Sequence, residues 1–114
     1  MTIYEELLRA LAAEPGVVGC FIASEGGALI AHAMPPEFPR DELERTAALL
    51  GSIRQNADAR GVGFDQCQVS VGDYRLIANR FGGGLLCTMT EPGASTERVL
   101  SAMRRALERL PGAG

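Results

Sequence analysis

The sequence predicts an α+β domain in which a five-stranded antiparallel sheet lies between helices on both faces. Three observations carry this reading. Three segments place apolar residues at helical spacing, five short segments are continuously apolar or alternate in strand fashion, and short glycine-bearing turns join most consecutive strands. At 114 residues, one core and one domain spanning 1–114 are expected, because a second core would not fit.

Thr2-Ile3-Tyr4-Glu5 has the form of a capping box and starts a helix over about residues 3–13, with Ile3, Leu7, Leu8 and Leu11 on one face. Glu14-Pro15-Gly16 stops it, since proline forbids continuation. Residues 17–23 are unbroken apolar sequence, too short for an independent helix, and read as a strand covered on both faces. Ser24-Glu25-Gly26-Gly27 reads as a hairpin turn into a return strand over 28–33. Three prolines between Met34 and Pro39 then break regular structure.

From about 41 to 60 the pattern is helical again. Leu43, Thr46, Ala47, Leu49, Leu50, Ile53 and Ala57 form a broad arc expected to face the sheet, and Arg54 at its edge is expected to snorkel to solvent. The opposite side carries the small residues Ala48, Ser52 and Ala59, which suit either close approach of another backbone or a plain solvated helix. Residues 65–71 read as a strand, with Cys67, Val69 and Val71 on one face and Gln66, Gln68 and Ser70 on the other. Gly72-Asp73 turns the chain into a strand over 74–81, and Gly82-Gly83-Gly84 turns it into a last strand over 85–90. Ser95 is a natural N-cap for a final helix carrying Val99, Leu100, Met103, Leu107 and Leu110 on one stripe, stopped by Pro111-Gly112.

The order is thus α-β-β-α-β-β-β-α. The most apolar strands, 17–23 and 85–90, belong at the centre, which leaves 28–33 and 65–71 as edges and gives strand order 2-1-5-4-3. Helices must cover both faces, because strands apolar on both sides would otherwise expose a large patch.

Composition narrows the chemistry. There are 11 basic against 14 acidic residues, which gives no electrostatic footprint for nucleic acid or an anionic membrane. Every basic residue is arginine, so chemistry that requires a lysine, including a P-loop phosphate lysine or a Schiff base, is excluded. No apolar run is long enough to span a bilayer and the N-terminus lacks a basic signal flank, so a soluble, cytoplasmic protein is expected.

Cys20, Cys67 and Cys87 have no metal-ligand spacing and are expected as buried reduced thiols. His32 is read as a structural residue near a strand end. The glycine runs punctuate strands rather than opening a helix, so they are turns and not phosphate loops. Arg98, Arg104, Arg105 and Arg109 on the last helix read as a solvated face, the latter three favouring its C-terminal dipole end. No catalytic, cofactor-binding or metal-binding residue is expected.

The run from Pro15 to Ala31, with its Val-x-Gly, a small polar residue and a glycine turn before an aliphatic strand, resembles the first hairpin of the Roadblock/dynein light chain family. Gly83-Gly84-Leu85-Leu86-Cys87 is similar to that family's turn into its last strand, and the element order matches over about residues 3–110. The resemblance implies a non-enzymatic homodimer in which second helices lie side by side and third strands pair across a two-fold axis. It places Ala48, Leu49, Ser52, Ala59, Cys67 and Val69 at the dimer interface. It also implies binding to a Ras-like small GTPase, as bacterial members of the family do when they accelerate its GTP hydrolysis, with Arg45, Arg54 and Asn56 as partner-binding residues. The alternative it leaves open is a pure assembly adaptor with no effect on nucleotide turnover. A small-ligand sensor is a third reading, for which the sequence offers no pocket signature.

Overall fold

The computed structural model describes residues 3–110. Thr2 of the expected capping box and the Pro111-Gly112 stop lie outside the described residues. Among these, helix α1 (Ile3–Ala12) is followed by strands β1 (Val17–Ser24) and β2 (Leu29–Ala33) and helix α2 (Arg40–Ala59). Strands β3 (Gln66–Val71), β4 (Tyr74–Phe81) and β5 (Gly84–Thr90) then lead to helix α3 (Thr96–Arg109). All strand pairs are antiparallel and the sheet order is β2-β1-β5-β4-β3, as the apolarity of the strands predicts.

Burial follows that order. Every residue of central β5 is buried, whereas the edge strand β3 alternates between exposed and half-buried residues. Cross-strand rows run the width of the sheet, with Phe21 opposite Cys87, Cys87 opposite Ala78, and Ala78 opposite Cys67. The two edges differ in regularity: β2 meets β1 through a register shift at Ile22/Ala23, whereas β3 pairs with β4 without interruption.

Each face of the sheet has its own core. On one, Leu7, Leu8 and Leu11 of α1 and Val99, Ala102 and Met103 of α3 pack on Cys20, Ile22, Ile77 and Leu86. On the other, Leu43, Ala47 and Leu50 of α2 pack on Phe21, Ala23, Leu85 and Cys87. Burying each large aliphatic side chain is worth about 1.5–3 kcal/mol, so neither helix layer is dispensable. Ser95 caps α3 as expected, its hydroxyl accepting from the Arg98 amide at 3.4 Å.

The sheet-facing arc of α2 differs from the periodic reading. Leu49 is 56 % exposed, while Gly51 and Arg54 are buried. The helix rolls toward Gly51 because a glycine permits a close approach that a leucine could not. A β-carbon at Gly51 would stand 2.7 Å from the Gly27 Cα, and Gly27 itself has a φ of +90° and leaves no room for a side chain against Ala47 and Ala48. The tip of the β1–β2 hairpin therefore rests backbone to backbone on α2.

Candidate functional site

The roll of α2 determines what it shows to solvent. Arg45, Ala48, Leu49, Ser52, Asn56 and Ala59 are all exposed. At 100° per residue they fall on one stripe, since their spacings of three and four residues return to the same side of a helix. The four α2 residues expected at a dimer interface, Ala48, Leu49, Ser52 and Ala59, and two of those expected to meet a partner protein thus share one surface, while the expected interface residues Cys67 and Val69 lie on β3. Arg45 extends from the α2 stripe, and among the described residues its one ion pair is an exposed contact with Asp41 at 3.6 Å.

Arg54 is not on that stripe, and the expectation that it snorkels to solvent is corrected. It is 9 % exposed. Its guanidinium donates to the Glu25 carbonyl through both Nε and NH2, and its NH1 donates to Asp58 Oδ2 at 2.8 Å. Asp58 also accepts both terminal nitrogens of Arg80 from β4, at 3.1 and 3.0 Å. The reason is the same roll: once Gly51 seats on the hairpin tip, position 54, one turn later, meets the carbonyl of Glu25, which needs a donor. Arg54 is a tie between α2 and the β1–β2 turn, held by Asp58.

Beside α2 the same sheet face is only partly covered. The helix lies over β1 and β2, so Cys67, Val69 and Val71 of β3 and Tyr74 of β4 pack on the core from one side and remain half-buried. Phe38, from the segment before α2, meets the Tyr74 ring edge-on with centroids 5.9 Å apart. The outcome is an open apolar shelf ending at a regular, uncharged strand edge, with Gln66, Gln68 and Ser70 exposed on the opposite face.

Of the three thiols expected in the core, Cys20 and Cys87 are buried and Cys67 is half-buried, because it stands on the uncovered edge strand. Burial pushes the Cys20 thiol up to about 12, and Cys20 donates to the Leu8 carbonyl at 3.1 Å. Burial first, then the neighbouring Cys67 and Cys20, drives the Cys87 thiol further up; burial also raises Cys67. The buried Cys20 and Cys87 are thus inert thiols rather than nucleophiles. His32 is exposed on β2, opposite Phe21. Among the described residues, no group of three or more His, Cys, Asp and Glu side chains is placed to hold a metal ion, and no helix is long and apolar enough to cross a membrane.

The sequence reading missed Gly27, Gly51 and the Arg54–Asp58–Arg80 cluster. A signal was present: a glycine in mid-helix costs about 1 kcal/mol relative to alanine, and Gly51 sits amid alanines and leucines on the buried arc.

Comparison with known proteins agrees with this architecture. The family described as the Roadblock/LC7 domain matches residues 3–69, from α1 into β3. A Roadblock/LC7 domain from Streptomyces avermitilis superposes with a TM-score of 0.77 at 16% identity, covering 91% of this chain and 91% of that one. The gliding protein MglB from Thermus thermophilus gives 0.77 at 20% identity, covering 93% of this chain and 86% of its own. Myxococcus xanthus MglB gives 0.69 at 15% identity, covering 91% and 85%. No curated protein sequence matches the chain.

Proposed function

Since this chain belongs to the Roadblock/LC7 domain family, we propose that it is a non-enzymatic homodimeric regulator that binds a Ras-like small GTPase and accelerates its GTP hydrolysis. The observation that carries the reading is the pairing of two unfinished surfaces on one sheet face: the exposed α2 stripe with Leu49, and the half-open shelf of Cys67, Val69 and Val71 beside an unguarded β3 edge. Such an edge templates aggregation unless something pairs with it. A second copy satisfies both, because a two-fold operation sets β3 against β3 and brings one protomer's α2 near the other's shelf.

The GTPase part of the reading draws on the likeness to MglB. A regulator of this kind does its work by positioning. Phosphoryl transfer is catalysed mainly by orientation and charge stabilisation, so a protein that orders the GTPase's own residues raises the rate without contributing chemistry. With Arg54 committed to the Glu25 carbonyl, Arg45 and Asn56 are the polar groups that the stripe offers to a partner.

Light scattering at micromolar concentration is expected to give twice the 12.1 kDa chain mass, and Ser52→Arg or Ala48→Glu to shift the protein toward monomer. A persistent monomer, or two variants that dimerise as well as the parent, refutes the dimer. Titration of a Ras-like GTPase from the same cell, loaded with a GTP analogue and separately with GDP, tests the rest. Tighter binding of the GTP form is expected, and equal affinity for both leaves only an assembly adaptor.

A further inference from the structure

On the sheet face opposite α2, helices α1 and α3 enclose a groove of about 250 Å³ floored by Leu7, Ala10, Leu11, Ala102 and Ala106 and rimmed by Arg105, Arg109 and Glu14, the acid being paired with Arg105. We propose that this groove docks an acidic amphipathic helix of a partner protein, at a surface separate from the one assigned to dimerisation and GTPase binding.

The α1 wall is apolar up to Glu14 at its end, whose charge Arg105 neutralises, and it runs beyond the groove at the other end. Ile3 lies on the same face of α1 as Leu7 and Ala10, one turn earlier, and is 43 % exposed, one of few large apolar side chains so open to solvent. From Ile3 to Leu11 that wall spans about 12 Å of helix, at 1.5 Å per residue. Small residues at Ala10, Ala102 and Ala106 keep the floor shallow enough for a third helix to approach, as alanines do at close helix contacts.

The α3 wall is cationic. Arg105 and Arg109 rim the groove and Arg98 continues their row past its end; spaced by seven and four residues, the three fall within about 40° of one another around the helix axis. Although the chain as a whole is net acidic, α3 carries four of its arginines against Glu97 and Glu108. Arg105 meets Glu14 at 3.4 Å while remaining largely exposed. Among the described residues no ion pair engages Arg98 or Arg109. An apolar wall facing a row of arginines fits a helix with an apolar stripe and, roughly a quarter-turn away, a stripe of Asp or Glu, which is the helix-in-groove mode of recognition with charge setting the orientation.

The test uses the full chain and a displayed library of random helix-forming peptides. Selection is expected to enrich peptides with apolar anchors at i, i+3 or i+4, and i+7 and acids on the adjoining stripe. Arg98→Glu combined with Arg109→Glu, both positions without an ion pair, is expected to weaken those peptides about tenfold. Ala10→Glu, at an exposed helix position, is expected to abolish binding by filling the groove with charge. Dimerisation and GTPase binding should be unchanged in both variants, which separates failure here from failure of the functional reading. Enrichment of no helical peptide, enrichment indifferent to acid content or to these variants, or arginine-dependent binding to phosphatidylserine vesicles in place of peptides overturns the proposal.

Discussion

Replacing Gly51 by alanine distinguishes the packing of α2 from its intrinsic propensity, because the two predict opposite signs. In a solvated helix the change stabilises by about 1 kcal/mol. Here the new methyl would stand 2.7 Å from the Gly27 Cα and 2.9 Å from its nitrogen, and backbone atoms cannot rotate aside. Restoring ordinary contact requires α2 to lift by about 1 Å, a gap that forfeits a quarter to a half of the dispersion energy across it. Leu43, Ala47 and Leu50 lift with it, and Arg54 is drawn away from the Glu25 carbonyl. Overpacking costs about 1–3 kcal/mol and a stretched bond to a buried carbonyl about 1–3 kcal/mol more. After subtracting the propensity gain, the net loss is about 1–5 kcal/mol, a fall in Tm of roughly 4–20 °C for a domain of this size. Urea and thermal unfolding followed by far-ultraviolet circular dichroism, at fixed protein concentration, measure it. Gly26→Ala is the control, since its nearest neighbour would be the Ser24 hydroxyl at 3.9 Å, and it should shift stability by less than about 0.5 kcal/mol. A Gly51→Ala protein as stable as the parent, or more so, refutes the seating of the hairpin tip on α2.

Arg54→Ala is expected to cost about 2–3 kcal/mol in the same assays, because it strips the donor from the Glu25 carbonyl and leaves Asp58 with Arg80 as its arginine partner; Arg45→Ala, at an exposed site, should leave stability unchanged, and equal effects would refute the distinction. Thr88→Val should stabilise by about 1 kcal/mol, since the Thr88 hydroxyl is buried with no hydrogen-bond partner among the described residues and valine has its shape; a loss of stability would show that the hydroxyl is satisfied. The raised thiols of Cys20 and Cys87 set the sign of an alkaline effect. Both are neutral in either state below the unfolded value near 9.0; above it the unfolded chain loses protons that the folded chain keeps. Stability should therefore fall by about 1.4 kcal/mol per pH unit per thiol from pH 9 toward 12. Guanidinium titrations at successive pH values should show the slope shrink in Cys20→Ala and Cys87→Ala, and an unaltered slope would place its origin elsewhere.

Element order, strand order and the two-faced core are legible in the sequence because each rests on local periodicity and on which strands are most apolar. The alternation of Cys67, Val69 and Val71 with Gln66, Gln68 and Ser70 reads directly as an edge strand. The rotation of α2 is not legible in that way. Seven positions from Leu43 to Ala57 fit an apolar arc, but the axis of the arc is decided by a contact between Gly27 and Gly51, residues with no side chain to register in a hydrophobicity pattern. That contact exposes Leu49 and buries Arg54, so the same small rotation turns Leu49 from the sheet-facing arc to the outer stripe and takes Arg54 from solvent into a tie with the hairpin. Charge alone cannot tell a solvated arginine from one whose donors are spent on a carbonyl 29 residues earlier.

The position of β5 at the centre of the sheet has a consequence for synthesis. Its pairing with β1 joins Val17 to Thr90 and Ser24 to Gly84, whereas every other strand pair is closed by a short turn. A ribosome adding about 5–20 residues per second delivers the first hairpin several seconds before the strand that must lie against it. Until then β1, the most apolar strand made so far, is itself an open edge. Closing this one distant pairing should limit the folding rate, and a chain stalled before residue 84 should be the species that chaperones hold and that aggregates when they are scarce.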